Sequence, residues 1–209
     1  MEKTVAGITI PDSKLANEAT ELAREASSPM LFNHVMRSYF FGELLAGKRG
    51  IKHDAELVYL ATVLHDLGLT AKFQGPFRFE VDGANAAREF LKSRGVPAEK
   101  TTLVWDAIAL HSTPGIALHK EPEVVVAALG IGVDVPGFGA DEISADALAE
   151  VVTAYPRLRF KTAFMDDLIA ITKRKPQVTF GSFLVGYRHV PGFSSPNFCD
   201  LMAGAPFAE

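Results

Sequence analysis

Five side chains in this sequence carry the potential for chemistry: His34, His65, Asp66, His111 and Asp134. Each lies within or at the end of a helical run of apolar residues. Leu64-His65-Asp66-Leu67-Gly68 and Ile131-Gly132-Val133-Asp134-Val135 both set an aspartate among hydrophobic neighbours. An ionised carboxylate in such surroundings is costly unless it is paired or bound to a metal. Taken singly, each residue has a plain structural reading. A histidine on an apolar face is ordinarily a satisfied core residue, Asp66 a helix cap or ion-pair partner, and Asp134 a turn former ahead of Pro136. Taken together, a mixed set of imidazoles and carboxylates from separate helices suits zinc, iron or manganese, with positions left open for water. His65 and Asp66 are consecutive, so on a regular helix they diverge by about 100°. They can share one ion only near a helix end, and Gly68 supplies that end.

The elements that must position these groups are helices. Leu15, Ala19, Leu22 and Ala26 recur at three- and four-residue spacings, which predicts a helix from about Lys14 to Glu25. Ser28-Pro29 opens a second helix running to about Leu45, with Gly47 just past its end and His34 on its inner face. A third runs from the cap Asp54 to His65-Asp66, and Thr70 to Phe79 reads as a loop that could serve as a lid. Further helices are expected at Asp82–Lys92, from Pro97 through His111, from Pro122 to near Asp134, at Ala145–Ala154 and at Phe160–Arg174; Ser112-Thr113-Pro114-Gly115 is a break. Alternating strand patterns are scarce, so the fold class is all-α. From Pro176 onward Phe180, Phe183, Tyr187, Phe193 and Phe198 recur without period. This irregular segment, 176–209, is expected to wrap the body and to cover a pocket or a subunit contact.

The totals narrow the function classes. The chain has 209 residues, 48% apolar and 22% charged, which fits one domain with a real core. A formal net charge of -4 and scattered Lys and Arg leave no basic footprint for nucleic acid. The one cysteine, Cys199, excludes an intramolecular disulfide and a cysteine-rich zinc site, and points to a reducing, cytoplasmic setting. No apolar run reaches the roughly 18 residues of a membrane span. A small-molecule substrate is the expected partner, and the apolar C-terminal stretch leaves room for a homo-oligomer.

The order His34, then His65-Asp66, then Asp134, carried on helices, resembles the HD-domain superfamily of metal-dependent phosphohydrolases and related enzymes. The resemblance covers residues 28–135. Local strings narrow it: Asn33-His34-Val35-Met36-Arg37-Ser38-Tyr39-Phe40-Phe41-Gly42, Leu64-His65-Asp66-Leu67-Gly68-Leu69-Thr70, Phe79-Glu80-Val81-Asp82-Gly83-Ala84 and Trp105-Asp106-Ala107-Ile108-Ala109-Leu110-His111-Ser112 are similar to the cyanamide hydratase branch. The resemblance implies an HD-type helical bundle with His34, His65, Asp66 and Asp134 as ligands of one divalent metal, usually zinc, with iron or manganese as alternatives. HD proteins with two metals carry extra histidines between the His-Asp pair and the last aspartate, a role open to His111 and His119.

What this branch implies chemically is attack of a metal-bound hydroxide on the carbon of a C≡N group, turning cyanamide into urea. Charge then develops on the nitrile nitrogen and a proton donor is needed there. His111 is the first candidate, followed by Thr70, Glu80 and Asp82. Plain alternatives stand beside each: a hydrogen-bonded helix end for His111, a loop residue for Thr70, first-turn acids for Glu80 and Asp82, and a plain turn for Gly83. Phe40, Phe41, Phe73, Phe77, Phe79 and Trp105 are candidate pocket walls, and Arg37 a partner for Asp66, Glu80 or Glu43. The competing activity is phosphohydrolysis of a nucleotide or small phosphomonoester, with Lys72, Arg78 or Arg37 holding the phosphate. A third possibility is a sensing module with a purely structural metal.

Overall fold

A computed structural model describes residues 4–179, together with Ser182 and Pro191. It opens with a two-stranded antiparallel hairpin, β1 (Thr4–Val5) and β2 (Ile8–Thr9), which the sequence pattern does not announce. Helices follow: α1 (Lys14–Ala26), α2 (Pro29–Arg49), α3 (Ala55–Leu64), α4 (Phe79–Lys92), α5 (Ala98–Leu110), the short α6 (Pro114–Ala117), α7 (Pro122–Asp134), α8 (Ala145–Ala154) and α9 (Phe160–Arg174). The chain is therefore an all-α bundle across the described residues. The expected wrapping segment falls largely outside them.

Helix starts follow the cap chemistry. Ser13, Ser28 and Ser144 accept backbone N–H bonds from three residues ahead, and Asp54 accepts from Glu56 and Leu57. Two boundaries differ from the pattern-based expectation. Helix α2 continues through Gly47 to Arg49 and stops at Gly50, whose φ is 66°. Its last turn is held from outside, by Lys48 Nζ donating to the Glu142 carbonyl (2.6 Å) and Arg49 Nε to the Glu142 carboxylate (3.1 Å), which outweighs the mild penalty of a helical glycine. Helix α4 starts at Phe79, ahead of Asp82, because Phe79 and Glu80 are buried and the two acids, Glu80 and Asp82, sit in its first turn.

Helix α2 is the axis of the molecule. From Met30 to Gly42 every residue except Asn33 is buried, the mark of a helix surrounded by others rather than lying on a surface. Its most extensive partner is α7, which runs antiparallel to it, Gly42 lying by Val126 and His34 by Asp134. Two glycines permit the contact. A Cβ on Gly130 would fall 1.9 Å from the Ser38 carbonyl oxygen, and one on Gly42 would fall 2.7 Å from that of Val126. With the helices in that register, one turn back along α2 from Ser38 and one turn on along α7 from Gly130 bring His34 beside Asp134. A second glycine pair, Gly68 and Gly83, seats α4 against the turn that follows His65, with a Gly68 Cβ meeting the Phe79 carbonyl oxygen at 1.9 Å. Gly83 therefore serves a close backbone approach to His65 rather than a plain turn. Helix α9 closes the bundle through a smaller apolar cluster of Met30, Leu31, Phe79, Phe160, Phe164, Leu168 and Ile171.

Candidate metal centre

Three groups converge at the heart of the bundle. His34 comes from the middle of α2, His65 from the C-terminal cap of α3, and Asp66 from the residue after it, where the backbone leaves the α-helical path for a single 3-10 turn over Leu67–Leu69. All three are essentially inaccessible to solvent. His34 Nε2 lies 3.2 Å from His65 Nε2, and Asp66 Oδ2 lies 3.4 and 3.3 Å from those two nitrogens. These ligand atoms form one compact group that can hold a metal ion.

The protonation pattern makes this group a cation site. His34 donates Nδ1–H to Asp134 Oδ2 (2.7 Å), and His65 donates Nδ1–H to the Thr62 carbonyl (2.7 Å). In the neutral imidazoles both Nε2 atoms are then lone pairs, facing each other and a carboxylate oxygen. Both oxygens of Asp66 are buried without a hydrogen-bond donor. Three converging acceptors repel unless a cation sits among them. The size fits as well: the centre of a triangle with these edges is about 1.9 Å from each corner, close to ordinary zinc–ligand distances of about 2.0–2.2 Å. The electrostatics show the same demand for positive charge beside Asp66, here exerted on the imidazoles. Burial pushes the Asp66 carboxyl up, yet His65 and His34 outweigh it and bring it down to about 2. Burial lowers His65, but the Asp66 charge more than reverses this, whereas for His34 burial prevails over the Asp134 carboxylate.

Asp134 stands one step back from the group, on the far nitrogen of His34. Its carboxylate accepts from Arg37 Nε (2.7 Å) and the neighbouring guanidinium nitrogen (2.8 Å), and from Arg157 (2.8 Å), while a further Arg157 nitrogen reaches its carbonyl (3.0 Å). Burial raises the carboxyl, but the bonds from His34 and Arg37 hold it well below the usual carboxylate range. Arg37 thus pairs with Asp134, not with Asp66, Glu80 or Glu43. It also donates to the carbonyls of Tyr155 and Pro156, fixing the link between α8 and α9 from which Arg157 reaches in.

The other expected participants differ in their placement. His111, at the C-terminal cap of α5, faces the group with its Nε2 3.9 Å from Asp66 Oδ1 and its ring 4.8 Å from that of His65. Its Nδ1–H is donated to the Ile108 carbonyl (2.7 Å), the same posture as His65, so its Nε2 presents a lone pair rather than the proton expected of a donor. Burial and then the proximity of His65 bring this imidazole down to about 4. Glu80 is buried behind it, accepting from Arg78 (2.6 Å) and from the Ser112 hydroxyl (2.5 Å). Burial raises Glu80, but Arg78, His111 and Ser112 together lower it, which keeps it ionised. Thr70 donates to the Leu67 carbonyl, closing the 3-10 turn. Asp82 accepts from the backbone of Gly75 and Phe77 and from Lys175, pinning the 71–78 loop to the body. His119 lies apart, in the turn after α6.

A cavity of about 610 Å³ opens onto the group. His34, His65, His111 and Ser112 are in its lining, together with Lys161. Its walls are Phe79 and residues from α7, α9 and the turn after α7, among them Leu129, Ile131, Phe138, Phe160, Phe164 and Leu168. Phe79 is a wall as expected; Phe40 and Phe41 are core, Phe73 packs against the core, Trp105 is held by Asn85 and Arg88, and Phe77 is exposed. The rings of His34, Phe160 and Phe164 pack against one another: Phe160 stacks on Phe164 (4.8 Å) and tilts against His34 (4.8 Å), and Phe164 lies 5.3 Å from His34.

The profile of the HD domain family matches residues 31–148, more than half of the chain, from the first turn of α2 into α8. The chain belongs to the HD domain family. The matched stretch contains His34, His65-Asp66, His111 and Asp134. HD domains are generally enzymes, metal-dependent hydrolases that bind divalent ions. A comparison with curated proteins finds no match. No helix among the described residues is long and apolar enough to cross a membrane.

Proposed function

We propose that this HD domain hydrates the C≡N group of cyanamide or a similar small nitrile, giving urea or the corresponding amide. The observation that carries the reading is the pairing of a compact His–His–Asp ligand group with a cavity whose walls are almost wholly apolar. His34, His65 and Asp66 would hold one divalent ion, zinc by preference, with Asp134 orienting His34 from behind. When bound, such an ion polarises a substrate and lowers the pKa of water to about 7.

The chain's own residues supply the rest. His111 Nε2, a lone pair facing the group, takes the proton released as water adds to carbon, and returns it to the nitrile nitrogen. It is a proton carrier rather than a donor from the outset, because its Nδ1–H is committed to Ile108. Phe160 and Phe164 shield His34 from bulk water.

Phosphate transfer fits the cavity less well. Arg37 is committed to Asp134 and Arg78 to Glu80, and Lys72 lies over the Phe73 ring. Lys161 is the single cation among the described residues that line the cavity. A phosphoryl group needs more positive charge than that around its oxygens. Incubating metal-loaded protein with cyanamide and with a panel of nucleotides, while recording urea and free phosphate, tests the ranking. Urea without phosphate is expected; phosphate without urea overturns it.

A further inference from the structure

Cyanamide has three non-hydrogen atoms, whereas the cavity, at about 610 Å³, is of the size that encloses ligands many times larger, about 300–1,000 Å³. Its lining sets a few polar groups among hydrocarbon. The polar groups are the imidazoles, Ser112 and Lys161; Leu129, Ile131, Phe164 and Leu168 are among the apolar ones, and Phe138 is 68% exposed. A substrate with its reactive group at the histidines must therefore lay the rest of its body along hydrocarbon. Ser112 adds a second constraint. Its hydrogen is donated to the ionised Glu80, so what it offers the cavity is an oxygen lone pair. A lone pair beside the reacting group calls for an N–H on the substrate next to its C≡N.

We propose that the cavity takes an N-substituted cyanamide with an apolar substituent, R–NH–C≡N, and that Ser112 accepts its N–H while the substituent lies along α7 and α9. The inference rests on the hydration reading and narrows it to a substrate class. Water oxygen bonds to the nitrile carbon as one carbon–nitrogen π bond breaks, both water protons end on nitrogen after tautomerisation, and the product is the N-substituted urea R–NH–CO–NH₂. No oxidant or reductant takes part.

Binding of the products tests the class independently of turnover. N-alkylureas from ethyl to hexyl are titrated calorimetrically into metal-loaded protein, and affinity is expected to rise about four-fold per methylene. Phe138→Ser is expected to reduce the gain for hexyl over ethyl. Ser112→Ala is expected to raise KM for hexylcyanamide about five-fold relative to that for a nitrile of equal length, which has no N–H, with Ser112→Thr restoring it. Affinity that is flat or falling with chain length overturns the proposal, even if cyanamide itself is hydrated. An equal effect of Ser112→Ala on both substrates overturns the assignment of Ser112. Affinity that climbs with chain length while no cyanamide is converted supports the apolar substrate body and sinks the hydration reading instead.

Discussion

Asp134→Asn is the substitution whose consequences the structure works out furthest. It removes one negative charge and keeps the shape. Arg157 can turn to water, its side chain being 31% exposed, but Arg37 is wholly enclosed and cannot. Removing one partner of a buried ion pair costs about 3–5 kcal/mol, against a typical total stability of about 5–15 kcal/mol. A second effect follows from the amide's geometry. Two guanidinium groups will claim its carbonyl oxygen, so its NH₂ turns toward His34 Nδ1. That nitrogen must then accept, and the imidazole proton moves to Nε2, where it points into the ligand group. Loss of such an orienting partner lowers metal affinity by about 10–100-fold. Urea unfolding with and without zinc, and competition against a chromophoric chelator, measure the two effects separately. A shift below about 1 kcal/mol together with unchanged metal affinity would refute the reasoning. Loss of metal at every concentration would place Asp134 among the ligands themselves.

His65→Ala is expected to abolish both metal binding and turnover, whereas His111→Ala should keep stoichiometric metal and lose about 10²–10⁴ in rate; elemental analysis beside the urea assay separates the two, and loss of metal from the second variant would move His111 into the ligand set. Gly130→Ala forces α2 and α7 apart, since its Cβ has no room beside the Ser38 carbonyl; a loss of about 1–3 kcal/mol or more is expected in denaturant melts, with metal affinity falling too because the same contact sets His34 against Asp134. The depressed Asp134 carboxyl predicts a pH dependence with a definite sign. Its contribution is fully present above the unfolded value of 3.8 and is lost as pH falls through the lower folded value, so the metal-free protein loses stability below about pH 4 and Asp134→Asn shows a shallower acid limb. Stability measured from pH 5 to pH 2 checks this, and identical slopes would count against it.

The helices are legible in the sequence wherever caps and periodicity agree. Helices α1, α7, α8 and α9 lie within a residue or so of their expected bounds, since serine caps or an N-terminal proline mark several of their starts. The convergence of His34, His65 and Asp66 is legible for a different reason: titratable groups in apolar helix segments demand partners, and Gly68 marks the place where two consecutive ligands can be reconciled. What stays hidden depends on contacts distant in sequence. The charge on Asp134 demands a cation, but nothing local says that it is Arg37 joined by Arg157, 23 residues further on. The cavity walls are hidden likewise. Phe40 and Phe41 look no different from Phe160 and Phe164 until α9 docks beside α2. Ser112 reads as part of a helix break, and only its distance to Glu80 reveals it as an oriented hydroxyl.

The rings of His65 and His111 are each aimed by a carbonyl three residues earlier on their own helix, whereas His34 is aimed through a relay of other side chains. Two of the three imidazoles thus take their bearing from the main chain, which side-chain replacement leaves in place. The hydrocarbon lining can then be remodelled by mutation, widening or narrowing the range of molecules admitted, while the reactive end keeps its alignment. Among residues that do not themselves reach the cavity, inactivating changes should instead gather along the path from Arg157 through Asp134 to His34, where aim depends on side chains that substitution can remove.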